Sequence, residues 1–192
     1  ADGVLVYQAV RFEDEKTGEK NFTQRRPNGD GGWIYKLRGV TRILYRLPEL
    51  IQAKDTEPVY VVEGEKKVEA LRAWGLVATC NVGGAGKWRR DYSERLKSRR
   101  VIILPDNDGP GWEHAAKVAE SLNDVGCRIP PKIVTLPGLE PKGDVVDWIA
   151  AGGTREKLAE LVANPSDPVA PPEIAAEQEE EESVLRQRDP LS

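Results

Sequence analysis

Short unbroken apolar runs recur through the middle of the chain, and between them apolar residues fall at helical spacing. VYVVE (59–63), LVATC (76–80), VIILP (101–105) and KIVTL (132–136) have the pattern of strands covered on both faces. After the first run, Val68, Leu71 and Trp74 share one face of a helix spanning Lys66–Trp74. A short helix is expected over 90–98. A longer one over 111–125 carries Ala115, Val118, Ala119, Leu122 and Val125 on one stripe. VVDWIAA and the stretch from Thr154 to Val162 read as two more helices, the second capped by Thr154. This alternation predicts an α/β domain over 58–164, a Rossmann-like sheet of about four parallel strands flanked by helices.

The flanks read differently. Residues 1–57 predict a small β-rich subdomain: VLVYQAVRF alternates, EKTGE turns, NFTQRR returns, and NGDGG loops into a strand at WIYKL. RILYRLPELIQA closes it as a short helix broken at Pro48. Residues 165–192 are Pro-rich and then acidic, and are expected to form a disordered linker or tail.

Charge sharpens this picture. The net charge of −4 conceals a tail with eight acids and two bases, so the rest of the chain is slightly basic. Residues 20–48 carry Lys20, Arg25, Arg26, Lys36, Arg38, Arg42 and Arg46 against Asp30 alone. Residues 86–100 carry Lys87, Arg89, Arg90, Arg95, Lys97, Arg99 and Arg100 against Asp91 and Glu94. Two such clusters fit a polyanionic partner, and equally a solvated basic face. Trp33 and Trp88 lie in or beside them, placed either to stack on bases or to pack in a core.

Two distant cysteines, Cys80 and Cys127, and the single His114 cannot supply a structural zinc site, so no zinc is expected here. The cysteines sit in apolar surroundings and read as buried thiols. No run of about eighteen apolar residues marks a membrane span. The chain contains no Met, even at position 1, and is expected to be a piece of a longer protein.

The candidate chemistry lies where acids follow strands. Glu63 ends the first apolar run and abuts Gly64; Asp106 and Asp108 follow the third run; Asp144 and Asp147 follow the fourth. In an open parallel sheet, ligands bind beyond the carboxyl ends of the strands. With the first and third strands adjacent, their ends lie roughly 5 Å apart. Converging carboxylates need a cation, and hard oxygen donors favour Mg²⁺ or Mn²⁺. Asp108 before Gly109 also suits a plain turn, and Asp144 a helix N-cap.

These segments, VVEGEKK (61–67), VIILPDNDGPG (101–111) and PKGDVVDWI (141–149), resemble the Toprim domain. That domain is shared by DnaG-type primases, phage and mitochondrial primase-helicases, topoisomerases and some nucleases. The likeness is nearest to primases of phages and mobile elements, on the strength of residues 25–50 and the loop NVGGAGKW (81–88). It implies Glu63 as the acid that manages a proton, with Asp106 and Asp108 as further catalytic residues. It implies Mg²⁺ (or Mn²⁺) on Asp106, Asp108, Asp144 and Asp147. Arg25, Arg26, Lys66, Lys87, Arg89 and Arg90 would meet nucleic acid or nucleotide. Many relatives carry an acid four residues after the first Glu, where this chain has Lys67. A zinc module often precedes such cores and is absent from this sequence. NVGGAGKW fails the Walker A pattern at both ends, since Trp88 follows Lys87 and Asn81 stands where the first Gly belongs.

The expectation is therefore a DNA primase core, a Mg²⁺-dependent nucleotidyltransferase making RNA primers on single-stranded DNA from ribonucleoside triphosphates. A replicative or fused helicase would be its partner, in the cytoplasm of a bacterium or phage-infected cell. The alternatives are a non-catalytic binding module that recruits a helicase, and a Toprim nuclease.

Overall fold

The computed structural model describes residues 4–13, 17, 18 and 20–164. The predicted tail at 165–192, and Glu15, Lys16 and Glu19 of the predicted turn, lie outside the described residues. The chain divides into two units, one ending at Ile43 and one beginning at Leu44. That division falls earlier than the boundary near Pro58 drawn from composition.

The first unit holds three antiparallel strands in the order β1-β2-β3: β1 (Gln8–Glu13), β2 (Lys20–Pro27) and β3 (Trp33–Ile34). Its β-character matches the expectation, but β1 starts later and β3 is shorter than predicted, and Val4, Leu5 and Val6 are exposed. The Tyr7 hydroxyl donates to the Ile43 carbonyl (2.7 Å) and accepts from the Ile43 amide (3.0 Å), tying the two ends of the unit.

The second unit begins with α1 (Leu47–Gln52). Pro48 sits in its first turn, where a missing N–H costs nothing, so this proline starts the helix and does not break it. Leu44 and Leu50 enter the second unit's core, which explains why the division precedes α1. The elements that follow are β4 (Val59–Val61), α2 (Glu65–Ala73), β5 (Val77–Thr79), α3 (Arg90–Leu96), β6 (Val101–Ile103), α4 (Gly109–Asp124), β7 (Lys132–Ile133), α5 (Val145–Ala150) and α6 (Arg155–Ala163).

The four strands are parallel, in the order β5-β4-β6-β7, with Val59 opposite Val101 and Val61 opposite Ile103. The adjacency of the first and third apolar runs is thus realised. Strand alternation splits the core in two. Tyr60, Val62, Ile102 and Leu104 pack with α2, α5 and α6, through Val68, Leu71, Trp148, Leu158 and Val162. Val59, Val61, Val101 and Ile103 pack with α1, α3 and α4, through Leu50, Tyr92, Leu96, Val118 and Leu122. A sheet covered on both faces sends its polar chemistry to the strand ends.

Burial also separates structural groups from candidate functional ones. The Cys80 thiol is buried and pushed up to about 12 by that burial, in keeping with an inert core thiol. Arg99, counted in the second basic cluster, is only 6 % exposed. Its guanidinium donates to the carbonyls of Leu50 (2.9 Å), Lys54 (3.0 Å) and Glu57 (3.4 Å), closing the end of α1 and the turn into β4. Among the described residues no helix is long and apolar enough to cross a membrane.

Candidate active site

Glu63 and Asp106 follow the carboxyl ends of the adjacent strands β4 and β6. Between Glu63 and α2, Gly64 takes φ +87°, a conformation that L side chains rarely adopt. That turn starts α2 at Glu65 and places Lys67 in its first turn. The Lys67 ammonium donates to Asp106 Oδ2 and stands 3.5 Å from Asp144 Oδ2. Burial pushes the Asp106 carboxyl up to about 6, against the pull of Lys67; the nearby charges of Glu63 and Asp144 raise it further. A raised carboxyl favours the fold at low pH, and that stability is lost as pH rises from about 4 through about 6. A cation held at the ionised carboxylate offsets that loss.

The other predicted ligands are partly engaged with backbone. Asp108 N-caps α4, its Oδ1 accepting from the Gly111 amide (2.8 Å). Gly111 must lack a side chain there, since a Cβ would meet the Asp106 carbonyl at 2.7 Å. Asp144 N-caps α5, its Oδ1 accepting from the amides of Val146 (2.6 Å) and Asp147 (3.2 Å). Asp147 completes a capping box, its Oδ2 accepting from the Asp144 amide (2.9 Å). Asp106 and Asp144 share the Lys67 ammonium, Asp144 through Oδ2 while its Oδ1 caps α5; Asp108 and Asp147 accept from backbone amides.

Asn107, between the two aspartates of the third segment, is a positioning residue that pattern reading passed over. Its side-chain amide donates to the carbonyls of Leu139 (2.9 Å) and Glu140 (3.0 Å). Its backbone donates to Gly143 (2.9 Å) and accepts from Lys142 (2.8 Å), which holds φ +67°. Four hydrogen bonds thus fix the loop leading to Asp144 against the end of β6.

The glycine-rich loop 81–88 is clamped from two sides. Glu63 Oε1 accepts from the Ala85 amide (3.1 Å), and His114 Nδ1 accepts from the Gly86 amide (3.2 Å). Asn81 Nδ2 donates to the Gly84 carbonyl (2.8 Å). His114 is 5 % exposed, its Nε2 has no hydrogen-bond partner among the described residues, and burial lowers its pKa. A signal for this was present: His114 lies on the apolar stripe of α4 with Gly111, Ala115, Val118 and Leu122.

The basic candidates divide. Arg89 pairs with Asp91 (3.0 Å) and Arg90 with Glu94 (3.9 Å). Lys66 and Lys87 are exposed on the second unit. Trp88 is a packing residue: its Nε1 donates to Ser93 Oγ (2.9 Å), and its ring meets Tyr92 and His114 edge-on. In the first unit the Arg25 guanidinium lies 4.0 Å above the Trp33 ring, which is 37 % exposed. Arg26 follows Arg25 on β2, its Nε buried and without a hydrogen-bond partner among the described residues. Arg42, by contrast, donates to the carbonyls of Leu37 and Val40.

Among the described residues no three His, Cys, Asp or Glu side chains are grouped as a ready cage. Yet Asp106 and Asp144 both offer hard oxygens to one cation, the Lys67 ammonium. Hard carboxylate oxygens of this kind suit Mg²⁺ or Mn²⁺ in donor type.

No protein-family model matches the chain. A stretch of 86 residues is 37% identical to the UPF0292 protein of Archaeoglobus fulgidus, covering 44% of this chain and 64% of that one. In structure the chain is similar to the DnaG catalytic core, with TM-score 0.54 and 22% identity over 81% of this chain and 52% of that one. It is similar also to the E. coli primase catalytic core, with TM-score 0.53 and 21% identity over 79% and 50% of the two chains. A DnaG primase catalytic domain bound to single-stranded DNA matches with TM-score 0.50 and 22% identity over 74% and 47%. The chain spans about half the length of these primase cores. The fold is the one found in the DnaG-type primase core, as the Toprim resemblance implied.

Proposed function

We propose that this chain is the catalytic core of a DNA primase, joining ribonucleotides on a single-stranded DNA template. One observation carries the reading: in a primase-core fold, Asp106 and Asp144 share a cation beside Glu63 at the carboxyl edge of the parallel sheet. The reaction is nucleotidyl transfer. A ribonucleotide 3′-hydroxyl attacks the α-phosphate of the next nucleotide, a P–O bond forms, and pyrophosphate leaves. Glu63 keeps its Oε2 clear of any hydrogen bond among the described residues and is placed to take the hydroxyl proton. Asp106 and Asp144 would hold the divalent cation, which supplies positive charge to the phosphate as negative charge builds there. Asn107 holds Asp144 in register. Exposed Lys66 and Lys87 lie on the same unit for triphosphate or template. A helicase partner and a phage or mobile-element setting belong to the same proposal, on the resemblance alone.

The first unit offers the template a stacked Arg25–Trp33 pair beside Arg26. Single-stranded DNA affinity is expected to fall steeply with salt, as released counterions require. Arg25→Ala with Arg26→Ala should flatten the slope of log K against log salt by about 1 to 1.5. An unchanged slope would place the template elsewhere.

A binding-module reading is favoured by one feature, the Lys67 ammonium standing between the two carboxylates. The assay that separates the readings supplies labelled ribonucleotides, Mg²⁺ and single-stranded templates to the protein carrying this chain. Short templated RNA products support the primase. Template cleavage in the same mixture supports a nuclease, and binding without either supports the recruiting module.

A further inference from the structure

Position 67 breaks a local rule. The first turn of a helix favours acids, because the helix dipole is positive there, yet α2 carries Lys67 at that point. The side chain is also mostly withdrawn from water, 13% exposed, and so are its partners Asp106 (16%) and Asp144 (21%). A lysine so placed loses hydration and sits against an adverse dipole, and its two carboxylate partners offset those costs. Those partners come from two other segments, the end of β6 and the N-cap of α5. Three separate elements thus place one ammonium between the two acids that the resemblance assigns to a metal. Consistency between local preference and global fold is broken here, as it tends to be at functional positions.

We infer that Lys67 is a resident counter-cation that competes with divalent metal for Asp106 and Asp144. The ammonium and a divalent ion repel and need the same oxygens, so the metal enters as Lys67 withdraws. The withdrawn ammonium stays within one side-chain length of the site, where a nucleotide's phosphates would be its next anion. Metal binding in the bare protein is then weak by design of the site, and strengthens when an anion takes up Lys67. This inference rests on the reading of Asp106 and Asp144 as metal-holding residues.

The test is Mn²⁺ binding followed by electron paramagnetic resonance, without nucleotide, in wild type, Lys67→Gln and Lys67→Arg. Lys67→Gln removes the competing charge and is expected to bind Mn²⁺ at least about tenfold more tightly than wild type. Lys67→Arg keeps the charge and should stay close to wild type. Asp106→Asn added to Lys67→Gln should abolish the gain, which locates it. If Lys67→Gln is too unstable to hold at rest, its thermal midpoint should rise more with millimolar Mn²⁺ than that of wild type. Equal Mn²⁺ affinity in wild type and Lys67→Gln overturns the competition while leaving the metal site. Tighter binding by wild type also overturns it, making Lys67 a supporter of the metal. No Mn²⁺ binding by any variant removes both the competition and the metal reading.

Discussion

Arg99→Ala is expected to destabilise the second unit by about 3 kcal/mol and lower its thermal midpoint by roughly 10 °C. The guanidinium is the shared donor to three carbonyls, those of Leu50, Lys54 and Glu57. Removing it leaves the Leu50 and Glu57 carbonyls without this donor, each costing about 1–3 kcal/mol where water cannot replace it, while the Lys54 carbonyl keeps the Glu57 amide (3.0 Å). Part of the loss is returned, because Arg99 Nε is itself buried without a partner among the described residues. Arg99→Lys should recover some of the stability, since an ammonium can reach fewer of the carbonyls in the guanidinium's geometry. Urea unfolding of the three proteins checks this, and a change within about 0.5 kcal/mol for Arg99→Ala would mean that water satisfies those carbonyls. Single-stranded DNA affinity, measured well below the midpoint, should be unaltered, because this guanidinium faces the protein.

Arg99 also shows where sequence reading stops. Counting charges along residues 86–100 treats every basic side chain alike, whereas burial sorts them. Arg99 closes α1, Arg89 and Arg90 meet acids within their own helix region, and Lys87 stays exposed. Trp88 sits beside the same cluster, and only the packing of Tyr92 and His114 around it reveals a core role. The strands were legible because a sheet covered on both faces needs unbroken apolar runs, and VYVVE and VIILP supply them. The acids at their ends were legible for the same reason, as abrupt charge after apolar residues. Asp144 was readable as a helix cap from local spacing alone and does cap α5, whereas Asp108, which suited a plain turn, caps α4. Lys67 was legible as a departure from the Toprim pattern, but its insertion between Asp106 and Asp144 depends on contacts across three elements. Asn107 escaped because its hydrogen bonds go to backbone carbonyls, which carry no sequence signal.

Glu63→Gln is expected to lower ribonucleotide incorporation by about 10² to 10⁴, the usual cost of losing a general base. The substitution keeps a side-chain oxygen for the Ala85 amide, so the glycine-rich loop should hold its place. Glu63→Ala removes that oxygen too, and should add a rise in the KM for nucleotide to the same fall in rate. A Glu63→Gln protein with wild-type rate would assign Glu63 to holding loop 81–88 alone.

We propose Asp106 and Asp144 as the cation-holding centre of a primase. The most direct measurement is Mg²⁺-dependent ribonucleotide incorporation on single-stranded DNA by the protein carrying this chain, wild type against Asp106→Asn. Asparagine keeps the size of the side chain and removes the charge that holds the cation. Wild type is expected to yield short templated products, and Asp106→Asn to lose them by about 10²-fold or more, with template affinity unchanged. Equal synthesis by the two proteins, or a wild type that binds template and nucleotide yet joins nothing, would contradict the account.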